Sequence, residues 1–441
     1  MIINALKKAS LRYHSRLSSI KGVPCALLEL KNAPTSSMLL CFRDGVAYED
    51  EDEWGISHFI EHILFRGNKA YPSLYQISHR AESLGGRISA FSTRDGVYFW
   101  MKAPPGMEKE MTDLLGNLLT TPELRDEFIE KERQIIIQER QREINNPSLF
   151  TSLLLEETLL SPRPICRHPI GSTQVIDALD SASLKNRLDK VYHRDNLMVC
   201  VAGSISEDIT KHIEELIGKF PGGSPPRQAE FEVLPDYSSH RYFLRESPHK
   251  SQVFLSLGWP ITLDDDREIY PLRVLNSLLG AGYTSSFNRV LREEKNLTYL
   301  CTTGLNLYGN HGVYKVNMAL ADSNLKPALE LVHEIIEDTG EGKITGEQMD
   351  LARIKHASHL IFKMEDSLEA SRILSQRLMR EGNLFCLQDY IKTITEVTAE
   401  DVSGICRKKL PHDKCRVVIQ TGSSKIQNHE SMGIALPVRT I

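Results

Sequence analysis

His58, Glu61 and His62 carry the strongest chemical signal in this sequence, within Gly55-Ile56-Ser57-His58-Phe59-Ile60-Glu61-His62-Ile63-Leu64-Phe65. Apolar residues at 56, 59, 60, 63 and 64 follow the period of an amphipathic helix. At about 100° per residue, the two histidines and the glutamate gather on the opposite face, directed into solvent or a cleft. Two imidazoles one turn apart can bind one zinc ion. A carboxylate between them can take the proton of a water that the metal acidifies. The order H-x-x-E-H, the reverse of H-E-x-x-H, is a known zinc-site signature. A solvated polar helix face would display the same residues.

A catalytic zinc needs three protein ligands and an open position. Glu132 and Glu139, in Glu132-Arg133-Gln134-Ile135-Ile136-Ile137-Gln138-Glu139, are two helical turns apart and share a face. One could ligate while the other steadies a ligand or the water. Surface charges on a Glu/Arg-rich helix are the alternative. His356 and His359 have no acidic third ligand nearby and read as helix surface, so one zinc per chain is expected.

The elements around these residues suggest a duplicated chain. Its 441 residues suffice for two or three domains with a sizeable core. With 41% hydrophobic and 25% charged residues, it is not disordered, collagen-like or coiled-coil. Balanced against 53 basic residues, the 58 acids leave a net charge of −5, which gives no sign of nucleic-acid binding. Its apolar runs are too short for membrane insertion. The eight cysteines form no CxxC pair and read as reduced thiols, so the cytoplasm is expected. The basic, Ser-containing first 20 residues leave a mitochondrial-matrix presequence as the alternative.

Acidic runs at 49–53 and 264–268 each follow a strand-like segment (37–42 and 253–258) and precede an amphipathic helix. Similar segments lead into strands at 197–202 and 415–421, each closed by glycine. Positions 49 and 264 differ by 215, and positions 203 and 422 by 219. That near-constant offset suggests two related halves. A Pro/Gly-rich stretch at 221–227 marks the linker. Long helices are predicted at 122–145 and 346–379, beside strands at 96–102 and 315–319. Each half reads as α+β. The expected division is 1–220, a zinc-binding domain; 221–235, a linker; 236–425, its homologue; and 426–441, a peripheral tail.

Taken together, these residues resemble the pitrilysin/insulinase family of zinc metallopeptidases, the inverzincins, which includes mitochondrial processing peptidases and two-domain bacterial members. The resemblance runs from about residue 10 to 422. His58-Phe59-Ile60-Glu61-His62 matches the metal motif, and Arg43-Asp44-Gly45 with Tyr48-Glu49 matches the loop before it. Glu139 stands 77 residues after His62, where the family places its third ligand. Glu132 matches an additional active-site glutamate. Ser89, Ala90, Phe91 and Ser92 match an edge strand to which substrate pairs. Ser89 stands where the family usually has Asn. Arg292 and Tyr299 match a pair that binds the substrate backbone, although Asn296 replaces a common Gly and Gly280-Ala281-Gly282 replaces three glycines.

The resemblance implies two homologous α+β domains, each a mostly antiparallel sheet packed with helices, in a duplicated metallopeptidase-like α/β roll. It also implies a zinc endopeptidase in which His58, His62 and Glu139 hold the metal and Glu61 serves as general base. Its substrates would be unfolded peptides or leader and targeting segments. Relatives of this length work as two-chain clamshells, so a homodimer, or a heterodimer with a related chain, is expected. A non-catalytic scaffold or partner subunit is the alternative, and intact metal residues weigh against it. A structural zinc site would need a fourth protein ligand, and no cysteine or histidine near the motif offers one.

Overall fold

The structure, a computed structural model, describes residues 2–224, 229, 242–246, 252–422 and 438–440. The expected linker at 221–235 lies mostly outside them.

Two six-stranded sheets organise the described residues. The first contains β1 (His14–Ile20), β2 (Val23–Glu29), β3 (Ser36–Phe42), β4 (Arg87–Ser92), β5 (Val97–Ala103) and β6 (Leu197–Gly203). The second contains β7 (Tyr242–Glu246), β8 (Val253–Thr262), β9 (Thr298–Tyr308), β10 (His311–Leu320), β11 (Arg416–Thr421) and β12 (Val438–Thr440). Their orders are β1-β2-β6-β3-β5-β4 and β12-β7-β11-β8-β10-β9. From β2 and from β7, the five shared strands run first, fifth, second, fourth, third. The first and fifth are parallel and the other neighbours antiparallel in both sheets. The duplication is therefore present as topology, and the mostly antiparallel α+β architecture holds. The strand at 438–440 pairs with β7, so part of the expected peripheral tail belongs to the second sheet.

Central strands have two covered faces. Every residue of β3 and β6 is buried, as such continuous apolar runs require. Among the described residues, β4 and β9 each pair on one side only.

The cover comes partly from the opposite half. Helix Ser367–Glu381 packs on β2, β3 and β6, while helix Pro147–Leu160 packs on β8, β10 and β11. The Ser367 hydroxyl lies 2.8 Å from Thr35 Oγ1 and 2.7 Å from Ser37 Oγ. Ala26, Leu39 and Cys200 of the first sheet join the same apolar cluster as Leu257, Leu374 and Leu378 of the second half.

Two local expectations are corrected. The single helix expected at 346–379 is two helices, Gly346–Lys363 and Ser367–Glu381. Asp366 starts the second by accepting from Leu368 N (2.8 Å) and Glu369 N (3.1 Å), a side-chain cap that stands in for the preceding turn. His356 is not free helix surface: it is half-buried, with Nε2 3.0 Å from the Tyr390 hydroxyl. At the N-terminus, the basic stretch forms helix Ile2–Ser10, which packs on helices Gly346–Lys363 and Leu387–Glu396. No described helix is long and apolar enough to cross a membrane.

Candidate metal centre

Helix Ile56–Leu64 presses Ile56, Phe59, Ile60, Ile63 and Leu64, all 0% exposed, into the core of the first half. That burial fixes the helix's rotation and turns His58, Glu61 and His62 to the other side. There helix Asp126–Ile144 packs across it. The three polar side chains therefore face a covered cleft, with exposures of 11%, 13% and 22%.

The helix start is held by acids that precede it. Glu49 accepts from Gly55 N at 2.8 Å and Ser57 N at 3.0 Å, supplying the cap that Gly55 lacks. Instead of capping its own helix, the Ser57 hydroxyl donates to Asp44 Oδ1 at 2.8 Å. Gly45, at φ 96°, leaves no room for a side chain: a Cβ there would lie 2.5 Å from Thr93 O. Arg187 reaches Asp44, Glu53 Oε2 (2.8 Å) and Tyr48 O (3.2 Å) from helix Ser181–Val191.

Helix Asp126–Ile144 supplies the third donor. It buries Ile129, Glu132 and Ile136, and Glu139 continues that face by another turn. Glu139 Oε2 lies 3.5 Å from His58 Nε2 and 3.5 Å from His62 Nε2. One donor atom from each of the three residues falls within a span of 4.8 Å. A tetrahedral ion about 2.1 Å from its donors separates them by roughly 3.4 Å. The spacing therefore fits an ion between the three groups better than direct hydrogen bonds. His58 Nε2 is buried without a hydrogen-bond partner, the condition a metal relieves.

Glu132 is adjacent and differently used. Its Oε2 lies 2.9 Å from His62 Nδ1, and its Oε1 contacts Arg66 Nε. With a metal on Nε2, Glu132 would orient the imidazole through the remaining nitrogen. Burial opposes charge on His62, but Glu132 and Glu139 outweigh it and push its pKa up to about 9. The histidines hold Glu139 well below the usual carboxylate range. Burial pushes Glu132 the other way, yet His62 and Arg66 keep it lowered. Three carboxylates, Glu61, Glu132 and Glu139, thus surround the two imidazoles.

Glu61 stands beside the donors. Its Oε2 is 3.5 Å from His58 Nδ1 and accepts from Ser92 Oγ. Ser92 ends β4, the edge strand expected to receive substrate, and Ser89 is exposed on the same strand. Phe91 stacks on Tyr98 with centroids 4.6 Å apart, beneath the Arg372 guanidinium at 4.7 Å.

Residues 25–165 match the model described as Insulinase (Peptidase family M16), and residues 178–355 match the Peptidase M16 inactive domain. The chain belongs to the M16 peptidase family. It is 21% identical over 375 residues to "Uncharacterized zinc protease YmxG" of Bacillus subtilis, covering 85% of this chain and 90% of that protein. A Rickettsia felis "Uncharacterized zinc protease" is 23% identical over 367 residues, covering 82% and 87%. A Helicobacter pylori protease structure superposes with TM-score 0.84 at 18% identity, covering 93% of this chain and 99% of that one. An M16 inactive-domain structure from Pseudomonas fluorescens gives 0.84 at 19%, covering 93% and 98%.

The M16 inactive-domain match contains Arg292 and Tyr299. The Arg292 guanidinium lies 4.9 Å from the centroid of the Tyr283 ring and 3.4 Å from Glu293 Oε1. Tyr299, 62% exposed, accepts from Gln252 Nε2 at 2.9 Å beside a cleft of about 420 Å³. None of their described bonds reaches the histidine cluster. Sequence reading missed Arg66, Arg187 and the Ser92–Glu61 contact. Arg66 had a signal, since it follows His62 by one helical turn. The other contacts are tertiary, with no local pattern.

Proposed function

We propose that this chain is a zinc-dependent endopeptidase that cleaves unfolded peptides, or leader and targeting segments. The observation that carries the reading is the convergence of His58 Nε2, His62 Nε2 and Glu139 Oε2 at ion-sized spacing, with Glu61 beside them. Zinc bound by these donors would polarise the scissile carbonyl and lower the pKa of water.

Glu61 then takes the proton of the attacking water and passes it to the leaving amine. Glu132 keeps His62 in the orientation that presents Nε2. An extended peptide adds to the open edge of β4 along 89–92, giving backbone hydrogen bonds that read little sequence. Arg292 and Tyr299 orient the peptide from a second-half surface. The family resemblance supports a two-chain arrangement, a homodimer or a heterodimer with a related chain. Eight scattered cysteines with no CxxC pair support a reducing compartment such as the cytoplasm.

Zinc content and cleavage of an unstructured peptide library, measured for wild type and Glu61→Gln, test this reading. Bound zinc in both with cleavage only by wild type is expected. Robust cleavage by Glu61→Gln overturns it.

A further inference from the structure

We infer that Ser92 is a positioning residue for Glu61: its hydroxyl holds one carboxylate oxygen and thereby aims the other at the reacting centre. The inference rests on the reading of Glu61 as general base. Pairing of peptide to β4 uses backbone groups and is indifferent to the Ser92 side chain, so the hydroxyl contact is a separate function of this residue.

A glutamate has three side-chain torsions, and freezing a side chain of that length costs up to about 2 kcal/mol of conformational entropy. Ser92 Oγ donates to Glu61 Oε2, and His58 Nδ1 lies 3.5 Å from the same oxygen. With the Glu61 backbone held by the helix, holding Oε2 narrows the directions open to Oε1 of the planar carboxylate. The base is then held before substrate arrives, as efficient proton transfer requires.

The hydroxyl stands on a rigid support. Ser92 pairs with Val97 across the β4–β5 hairpin. Its turn is closed by Thr93 N to Gly96 O at 2.7 Å and by Thr93 Oγ1 to Asp95 Oδ1 at 3.0 Å. Arg94, 3% exposed, anchors the turn by donating to Ile165 O at 2.8 Å, Cys166 O at 3.0 Å and Glu156 Oε2 at 3.1 Å. Glu156 in turn accepts from Asn306 Nδ2 at 2.7 Å and the Tyr308 hydroxyl at 3.2 Å, both on β9 of the second half. The turn beside the base is therefore tied to both halves of the molecule. Ala47 N donates to Arg94 O at 2.9 Å, which ties it also to the loop before the metal helix.

The test compares Ser92→Ala, Ser92→Thr and Glu61→Gln on one peptide drawn from an unstructured library. Zinc affinity is measured separately, by titrating the metal-free proteins. Ser92→Ala should lower kcat about 10- to 100-fold, the scale of a misplaced catalytic group, with KM and zinc affinity within about twofold of wild type. Ser92→Thr, which keeps the hydroxyl, should recover most of kcat. An unchanged kcat in Ser92→Ala overturns the inference, as does a loss that Thr does not rescue or that comes with weakened zinc binding. If Glu61→Gln is inactive while Ser92→Ala is fully active, this inference fails and the peptidase reading stands. Turnover by Glu61→Gln sinks both.

Discussion

Arg187 and Asp44 form an ion pair with side-chain exposures of 1% and 0%, and the Asp44 carboxylate also holds Ser57 on the first turn of the metal helix. The pair joins residues 143 positions apart. Arg187→Met would leave Asp44 buried without its cation. Removing one partner of such a pair costs about 3–5 kcal/mol. Denaturant unfolding of the metal-free protein should show a loss of that size. A loss below about 1 kcal/mol would mean that Asp44 finds another partner and that the pair does not anchor the helix.

Glu132 lies 2.9 Å from His62 Nδ1, and Glu139 is one of the three residues that could hold the metal. The two glutamates should therefore fail differently. Glu132→Gln should weaken zinc binding about 10- to 100-fold, the usual effect of losing an outer partner of a ligating histidine. Glu139→Gln should weaken it considerably more. Competition titrations against a chelator of known affinity measure both. Equal losses would show that Glu132 ligates directly.

These roles were unequally legible in the sequence. The metal helix was readable because its 3.6-residue period separates Ile56, Phe59, Ile60, Ile63 and Leu64 from His58, Glu61 and His62. Glu132 and Glu139 shared a face for the same reason, although the spacing alone did not say which one ligates. The repeated acidic runs disclosed the duplication, and five strands of each sheet run in the same order. Which helix covers which sheet was not readable. Amphipathicity tells a helix to bury a face and is silent about the partner. The break before Ser367 was missed because no Gly or Pro marks it; Asp366, a strong capping residue, was the available signal. Ser92 looked like one residue of an edge strand, and only tertiary structure brings it to Glu61.

The exchange of covering helices predicts that the halves depend on each other. Residues 1–220 expressed alone would lack helix Ser367–Glu381 and bare the sheet face carrying Ala26, Leu28, Leu39, Cys41 and Cys200. A contiguous apolar face of that kind promotes aggregation. The fragment should be insoluble or bind a hydrophobic dye strongly. Co-expression with residues 221–441 should restore soluble protein. A monomeric fragment 1–220 with cooperative unfolding would show instead that the halves fold independently.

His356 provides a pH test remote from the metal centre. It sits on helix Gly346–Lys363, with Nδ1 3.4 Å from Ser277 Oγ and Nε2 3.0 Å from the Tyr390 hydroxyl. Burial first, then Arg273, His359 and Lys363, lower its pKa to about 3. Unfolded, the imidazole titrates near ~6.5. The native state thus binds fewer protons than the unfolded state between those values, so stability is full above about pH 6.5 and declines as pH falls towards 3. From pH 7 to pH 5 this one residue accounts for up to about 2 kcal/mol. His356→Gln keeps a polar side chain without that titration, while every carboxylate titrates alike in both proteins. The difference in unfolding free energy between pH 7 and pH 5 should therefore shrink by up to that amount in the variant. An identical pH dependence in the two proteins would show that His356 is protonated in the fold at little cost.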